Sequence, residues 1–229
     1  MKKIQSTILV LVLIIISASV FADSDKEGNN GYKFYVDDPM NRNTVTFKSE
    51  APLEDIVGTS NKITGFIIFD PDNPQKGGTA ELSVPISSLN TGIPLRDEHL
   101  HSPDWLNAEK YQNITLKIDE VKDAKLIKEM DNSRTFELTV SGKFNLNGKS
   151  GQIEFPARVT FLKENDMTKM KLPGNLLAVR TNFDVALADY KVTGPDNMPI
   201  IGAKVSKEIH IDINLIGSTT LPSLTNEKM

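Results

Sequence analysis

The sequence predicts an all-β protein built from antiparallel strands, and two observations carry that expectation. Apolar residues recur at every second position over most of the chain between Val45 and Leu215, which is the period of a strand with one buried face. Apolar stripes at helical spacing are nearly missing, while turn formers such as Asn147-Gly148 separate the alternating runs. About eight such runs at short spacing fit an antiparallel barrel or a sandwich, and periodicity alone leaves the two open.

The elements follow in order. The chain opens "MKKIQSTILVLVLIIISASVFADSD". Lys2 and Lys3 precede an apolar run, and small residues follow before a predicted cut after Ala22. This is the pattern of a secretory signal peptide, with an apolar run well short of the roughly 18 residues of a spanning helix. The expected organisation is a signal peptide over 1–22, a polar linker over 23–30, one barrel domain over 31–218 and a polar tail over 219–229. A periplasmic or secreted location follows, with no stable membrane insertion after cleavage.

Val45 and Phe47 begin the alternation. Ile63–Phe69 is apolar on both faces, which predicts a strand covered on both sides. Asp70–Gly78 is dense in Pro, Asn, Asp and Gly and reads as a turn. Ala80, Leu82, Val84 and Ile86 share the next face, and Pro85 marks a strand end or an edge. Strands follow at Ile114–Ile118 and Phe136–Leu146, and the turn Asn147–Gly151 returns the chain through Ile153–Phe161. Val179–Leu187 and Ile209–Leu215 complete the set. Only Asp104–Lys110 and Ala51–Val57 read as helical turns.

Composition narrows the function. The net charge is −4 and there is no Cys among 229 residues. A mildly acidic chain offers no electrostatic footprint for nucleic acid. Without Cys there is no disulfide support, thiolate metal site or Cys nucleophile.

One stretch breaks the alternation. Ser87–Tyr111 holds His99, His101, the single Trp105 and the cluster Arg96-Asp97-Glu98. A connection this long in a compact domain is functional or disordered, and its aromatics argue for order. His99, Asp97 and Ser102 allow an enzyme reading, with or without a metal, yet triads are defined by geometry and no G-x-S-x-G elbow exists. His99 and His101 would face one way if extended, but no spacing here is diagnostic of zinc. The plainer reading is that Arg96, Asp97 and His99 brace the connection by hydrogen bonds. No catalytic residue, metal ligand or cofactor is assigned.

The segment "SSLNTGIPLRDEHLHSPDWLNAEKYQNITLK" resembles the signature of the YceI family of exported bacterial polyisoprenoid-binding proteins. The matching residues are Ser88, Thr91, Gly92, Arg96, Asp97, His99, Leu100, Ser102, Pro103, Asp104, Trp105, Glu109, Lys110 and Tyr111. "ITGFIIFDPDNP" and "VSGKFNLNGKSGQIEFPARV" resemble the family's flanking strands. The resemblance implies a single lipocalin-like antiparallel barrel of about eight strands, with a long ordered connection and a short helix. It further implies non-catalytic binding of a long isoprenoid or similar amphiphile in an apolar tunnel, for transport, storage or stress response, and it is compatible with a homodimer. Phe66, Ile68, Phe144, Phe155 and Phe183 are the expected lining. Arg96, Asp97, His99 and Trp105 are expected at the ligand head group or as braces of the connection. The late run Val179–Val192 only loosely resembles the family's Arg-x-(Asp/Glu)-(aromatic)-Gly element, with no Gly following, and three single positions also depart from the family pattern. Arg42 and Asn43 stand where a His-Ser pair is common, and Asn147 replaces the hairpin His.

Overall fold

The computed structural model describes residues 31–196 and 198–221. The expected signal peptide, the linker and the tail beyond Leu221 lie outside them. The strands are β1 (Tyr32–Tyr35), β2 (Thr44–Glu50), β3 (Asp55–Ser60), β4 (Thr64–Phe69), β5 (Thr79–Pro85), β6 (Asn113–Met130), β7 (Ser133–Leu146), β8 (Lys149–Leu162), β9 (Leu176–Ala186) and β10 (Glu208–Ser218). Two short helices, α1 (Pro94–His101) and α2 (Asp166–Lys169), interrupt them.

Eight strands close into an antiparallel barrel in the order β1-β4-β5-β6-β7-β8-β9-β10, with the pair Tyr35↔Ser218 joining the ends. Strand β10 pairs with β9 along its length, while its other edge is shared. The β2–β3 hairpin takes His210–Asn214, and β1 takes Ser218. The mouth end of this seam is stitched by the reciprocal main-chain bonds of Thr59 and Asn90, which tie β3 to the long connection.

The inward residues are those that alternation selects. Leu82, Leu116, Leu138, Val140, Phe144, Val159, Phe183, Val185, Ile213 and Leu215 are all buried in one core. Each such side chain contributes roughly 1.5–3 kcal/mol by leaving water. Leu176 and Leu177 point to opposite sides, Leu177 into the barrel and Leu176 into a satellite cluster with Leu172 and Ile216.

The ladder between β8 and β9 ends at Ala157↔Thr181. The neighbouring Pro156 supplies the reason. Its carbonyl accepts a hydrogen bond from Thr181 Oγ1 at 2.6 Å, so its main-chain polar side faces β9, where Pro has no N–H to donate. Beyond this point the two strands part. The gap is covered by a 3₁₀ turn, Leu187–Tyr190, whose buried Tyr190 ring lies against Gly151. Burial, with Asp189 beside it, pushes the Tyr190 hydroxyl pKa up.

Two local expectations are corrected. The helix forms at Pro94–His101 rather than Asp104–Lys110, because Pro94 at the first helical position fixes φ, whereas 104–110 is a run of turns. Asp55–Ser60 is a strand, not a helical turn. Its inward positions include Gly58 and Ser60, both small, because the Phe47 ring lies over Gly58 and leaves no room for a Cβ. The outer face of β4 is covered lightly, by the Lys33 ammonium 4.5 Å above the Phe66 ring.

Candidate functional site

Beneath α1 the barrel encloses a cavity of about 590 Å³, within the roughly 300–1,000 Å³ of small-molecule sites. Its walls are strand residues with apolar side chains, among them Val45, Phe47, Leu82, Val84, Leu116, Phe144, Phe183, Val185, Ile211 and Ile213. The mouth is built by three segments. The long connection supplies Thr91, Arg96, His99, Leu100, Asp104, Trp105 and Leu106. The β2–β3 hairpin supplies Glu54 and Ile56, and the segment before β10 supplies Met198, Ile200, Lys204 and Val205. Polar side chains are therefore concentrated at the mouth, and the deep wall is hydrocarbon.

The connection is an ordered lid. Asp97 Oδ1 accepts from both the backbone N–H and the hydroxyl of Thr91, each at 2.7 Å, which fixes the turn leading into α1. Arg96 forms an ion pair with Glu54 and so latches α1 to the β2–β3 hairpin across the mouth. His101 Nε2 is 2.9 Å from the Leu89 carbonyl and, protonated there, donates to it. Leu106 and Ala108 donate backbone bonds to Leu100 and His101. Trp105 lies against Gly194, a left-handed position (φ +71°), where a Cβ would come within 3.3 Å of the indole. A larger residue would therefore push the ring.

The expected lining residues divide. Phe144 and Phe183 line the cavity. Phe155 borders a separate, smaller void of about 70 Å³. Phe66 is corrected: it points outward from β4 beneath Lys33, because the inward positions are Ile67 and Phe69. Ile68 shares the face of Phe66 and borders only the smaller void. Apolarity on both faces of β4 hid which way each residue turns.

The mouth residues Arg96, His99 and Trp105 line the cavity, while Asp97 braces the lid from within the connection. His99 and His101 lie on a helix, so the extended geometry that would aim both imidazoles one way does not occur. His210 is on the outer face, its Nδ1 2.7 Å from Asp184 Oδ1. Sequence reasoning passed over Met198, Ile200 and Val205, although an apolar cluster beside Pro199 in an otherwise polar connection was the available signal.

The departures at Arg42, Asn43 and Asn147 lie in fastenings rather than in the cavity wall, whereas the loosely matching run Val179–Val192 contributes Phe183, Val185, Leu187 and Val192 to that wall. Asn43 is buried at the barrel seam, where Nδ2 donates to Val36 O at 2.7 Å and Ile216 O at 3.2 Å. Arg42 clamps Asp38 and reaches the Lys171 carbonyl. Asn147 Nδ2 donates to the carbonyls of Tyr190 and Lys191, both at 3.2 Å, and pins the β7–β8 turn to the 3₁₀ turn.

A closed antiparallel barrel with an apolar interior under a lid defines the lipocalin-like class of architecture. Within that class the chain belongs to the YceI-like domain family, whose sequence pattern matches residues 35–216. It is 30% identical over 104 residues to the protein YceI of Escherichia coli O157:H7, covering 45% of this chain and 49% of that one. Such alignments span about half the length, or somewhat less, of the curated relatives. Among solved structures the fold is similar to BcnA of Burkholderia cenocepacia, with a TM-score of 0.60, 17% identity, and coverage of 79% of this chain and 99% of that one. It is also similar to a polyisoprenoid binding domain from Saccharophagus degradans, described as implicated in plant cell wall breakdown. The TM-score there is 0.57 at 14% identity, over 81% of this chain and 97% of that domain.

Proposed function

We propose that the protein binds a long isoprenoid, or a comparable amphiphile with one long apolar chain, inside the barrel and without chemical conversion. The observation that carries this is the division of the cavity into a hydrocarbon wall and a polar mouth with Arg96, Glu54, His99 and Lys204. The chain lies along the wall and its polar end stays at the mouth, hydrated or hydrogen-bonded. Burying some ten carbons at about 0.8 kcal/mol each gives roughly 8 kcal/mol. That is comparable with the about 4–15 kcal/mol lost in association, so useful affinity calls for more than ten buried carbons. The polyisoprenoid binding described for the similar Saccharophagus domain supports the ligand class. The non-catalytic reading is supported by the commitment of Asp97 to Thr91 and of His101 to the Leu89 carbonyl. The role is extracytoplasmic carriage or storage of the lipid, or part of a stress response, after removal of residues 1–22. N-terminal sequencing of protein from a periplasmic or culture fraction should begin at Asp23, whereas intact Met1 in the cytoplasm would contradict export.

Trp105, the single tryptophan, lines the cavity and reports directly on occupancy. Titration with geranylgeraniol should change its emission saturably, at a stoichiometry of one. A response that never saturates, or none, would contradict the proposal.

A further inference from the structure

We infer that the stacked pair Phe155–Phe183 is the floor of the ligand cavity and limits the bound chain to on the order of twenty carbons, scaling from the about 150 Å³ that holds benzene. The inference rests on the reading that the cavity takes an apolar chain. The barrel interior is not one tunnel. The 590 Å³ cavity and the 70 Å³ void share the walls Leu82, Leu116 and Ile213, so they lie end to end. Phe183 lines only the first and Phe155 only the second. Their rings stack at 4.6 Å between centroids and 25° between planes.

The ring wall has a structural origin. Both residues stand just past the last β8–β9 rung, Ala157↔Thr181, where the strands part and side chains fill the opening. Phe183 is held edge-on by Phe144 at 5.8 Å, and Phe144 in turn by Tyr190 at 5.4 Å. Phe69, in the lining of the small void, meets Phe136 edge to face, and Tyr32 stacks on Phe161. A chain entering beneath α1 therefore reaches a fixed aromatic floor.

The test is a length series of prenyl alcohols (geraniol, farnesol, geranylgeraniol, geranylfarnesol and solanesol) titrated into the purified protein and followed by Trp105 emission. Affinity should climb about four-fold per added buried carbon up to geranylgeraniol and then stop. Phe155→Leu, with Phe183→Leu as the second variant, joins the void to the cavity. Either should bind geranylfarnesol at least about ten-fold tighter than the unaltered protein does. Phe136→Leu, which removes a comparable ring from neither lining, should keep the original limit. Affinity that rises through solanesol in the unaltered protein would overturn the length limit while leaving lipid binding intact. So would a limit that stays put in both floor variants when circular dichroism shows them folded. Failure to bind any alcohol of the series would overturn lipid binding itself, and the length limit with it.

Discussion

The side-chain amide of Asn43 occupies the place of a peptide group beside Ile216. Its Oδ1 accepts from the Ile216 N–H at 2.8 Å and its Nδ2 donates back to the Ile216 carbonyl at 3.2 Å, extending the ladder where β1 and β10 share only one pair. Because Asn43 is buried, Asn43→Ala strands the Ile216 N–H and leaves the Val36 carbonyl short of a donor. Each unsatisfied group costs about 1–3 kcal/mol, so the variant should lose about 2–4 kcal/mol in urea unfolding with the slope unchanged. Prenol affinity at 25 °C should stay the same, since Asn43 is not among the residues that line the cavity. A weakened affinity in the folded variant would contradict the assignment of Asn43 to the seam.

Asn147 combines two roles that substitutions separate. With Gly148 it forms the β7–β8 turn, both at positive φ (50° and 68°), the conformation of a type I′ hairpin that Asn-Gly favours. It also holds Tyr190 and Lys191. Asn147→Gly keeps the turn and loses the bonds, so it should cost about 1 kcal/mol. Asn147→Ala loses both and should cost about 2 kcal/mol, adding left-handed strain. Equal losses in thermal unfolding would show that one of the two roles is absent.

Asp97 is a brace, and its amide analogue keeps the acceptor. Asp97→Asn should leave the Thr91 bonds largely intact and change lid exchange little. Asp97→Ala removes both, at about 1–3 kcal/mol of local stability, and should speed hydrogen exchange over Ser87–Tyr111 about ten-fold or more. Ligand dissociation should accelerate in parallel. Unchanged exchange in the Ala variant would remove the bracing role.

Asp38 gives the stability a defined acid limb. Burial alone would raise its pKa, but hydrogen bonds from the Arg42 guanidinium and N–H and from the Met40 N–H outweigh that and hold it below the usual carboxylate value. The unfolded chain titrates near pH about 3.9. The native state thus gains stability that is fully present above this pH and is lost as pH falls through the lower native value. Melting temperatures of Asp38→Asn should be lower than those of the unaltered protein at neutral pH and should converge on them as pH drops below about 4. A constant difference across that range would contradict the assignment.

Much of the barrel was legible because one-sided burial writes a period of two into the strands, as in Ile209-Ile211-Ile213-Leu215. Strand β3 was not, because packing against Phe47 put Gly58 on its inward face and erased the apolar signal. The lid was marked by the residues at Ser87–Tyr111, yet its helix was misplaced, since α1 buries no side chain fully and so lacks an apolar stripe. The cavity wall was half legible. Phe144 and Phe183 stand on clean alternating strands, whereas Phe66 stands on a strand apolar on both faces, where pattern gives no direction. The floor depends on where Pro156 ends the ladder between the consecutive strands β8 and β9, a length of pairing that alternation in either strand does not record.

The central claim, that the barrel interior holds one long apolar chain, is tested most directly by mass spectrometry of protein purified from its native host under non-denaturing conditions. The intact protein should carry one amphiphile per chain, released by organic solvent. Val185→Trp, which fills the cavity from its wall, should fold and carry none. A folded, unaltered protein that yields no apolar molecule and gives no uptake of added prenol would contradict the account.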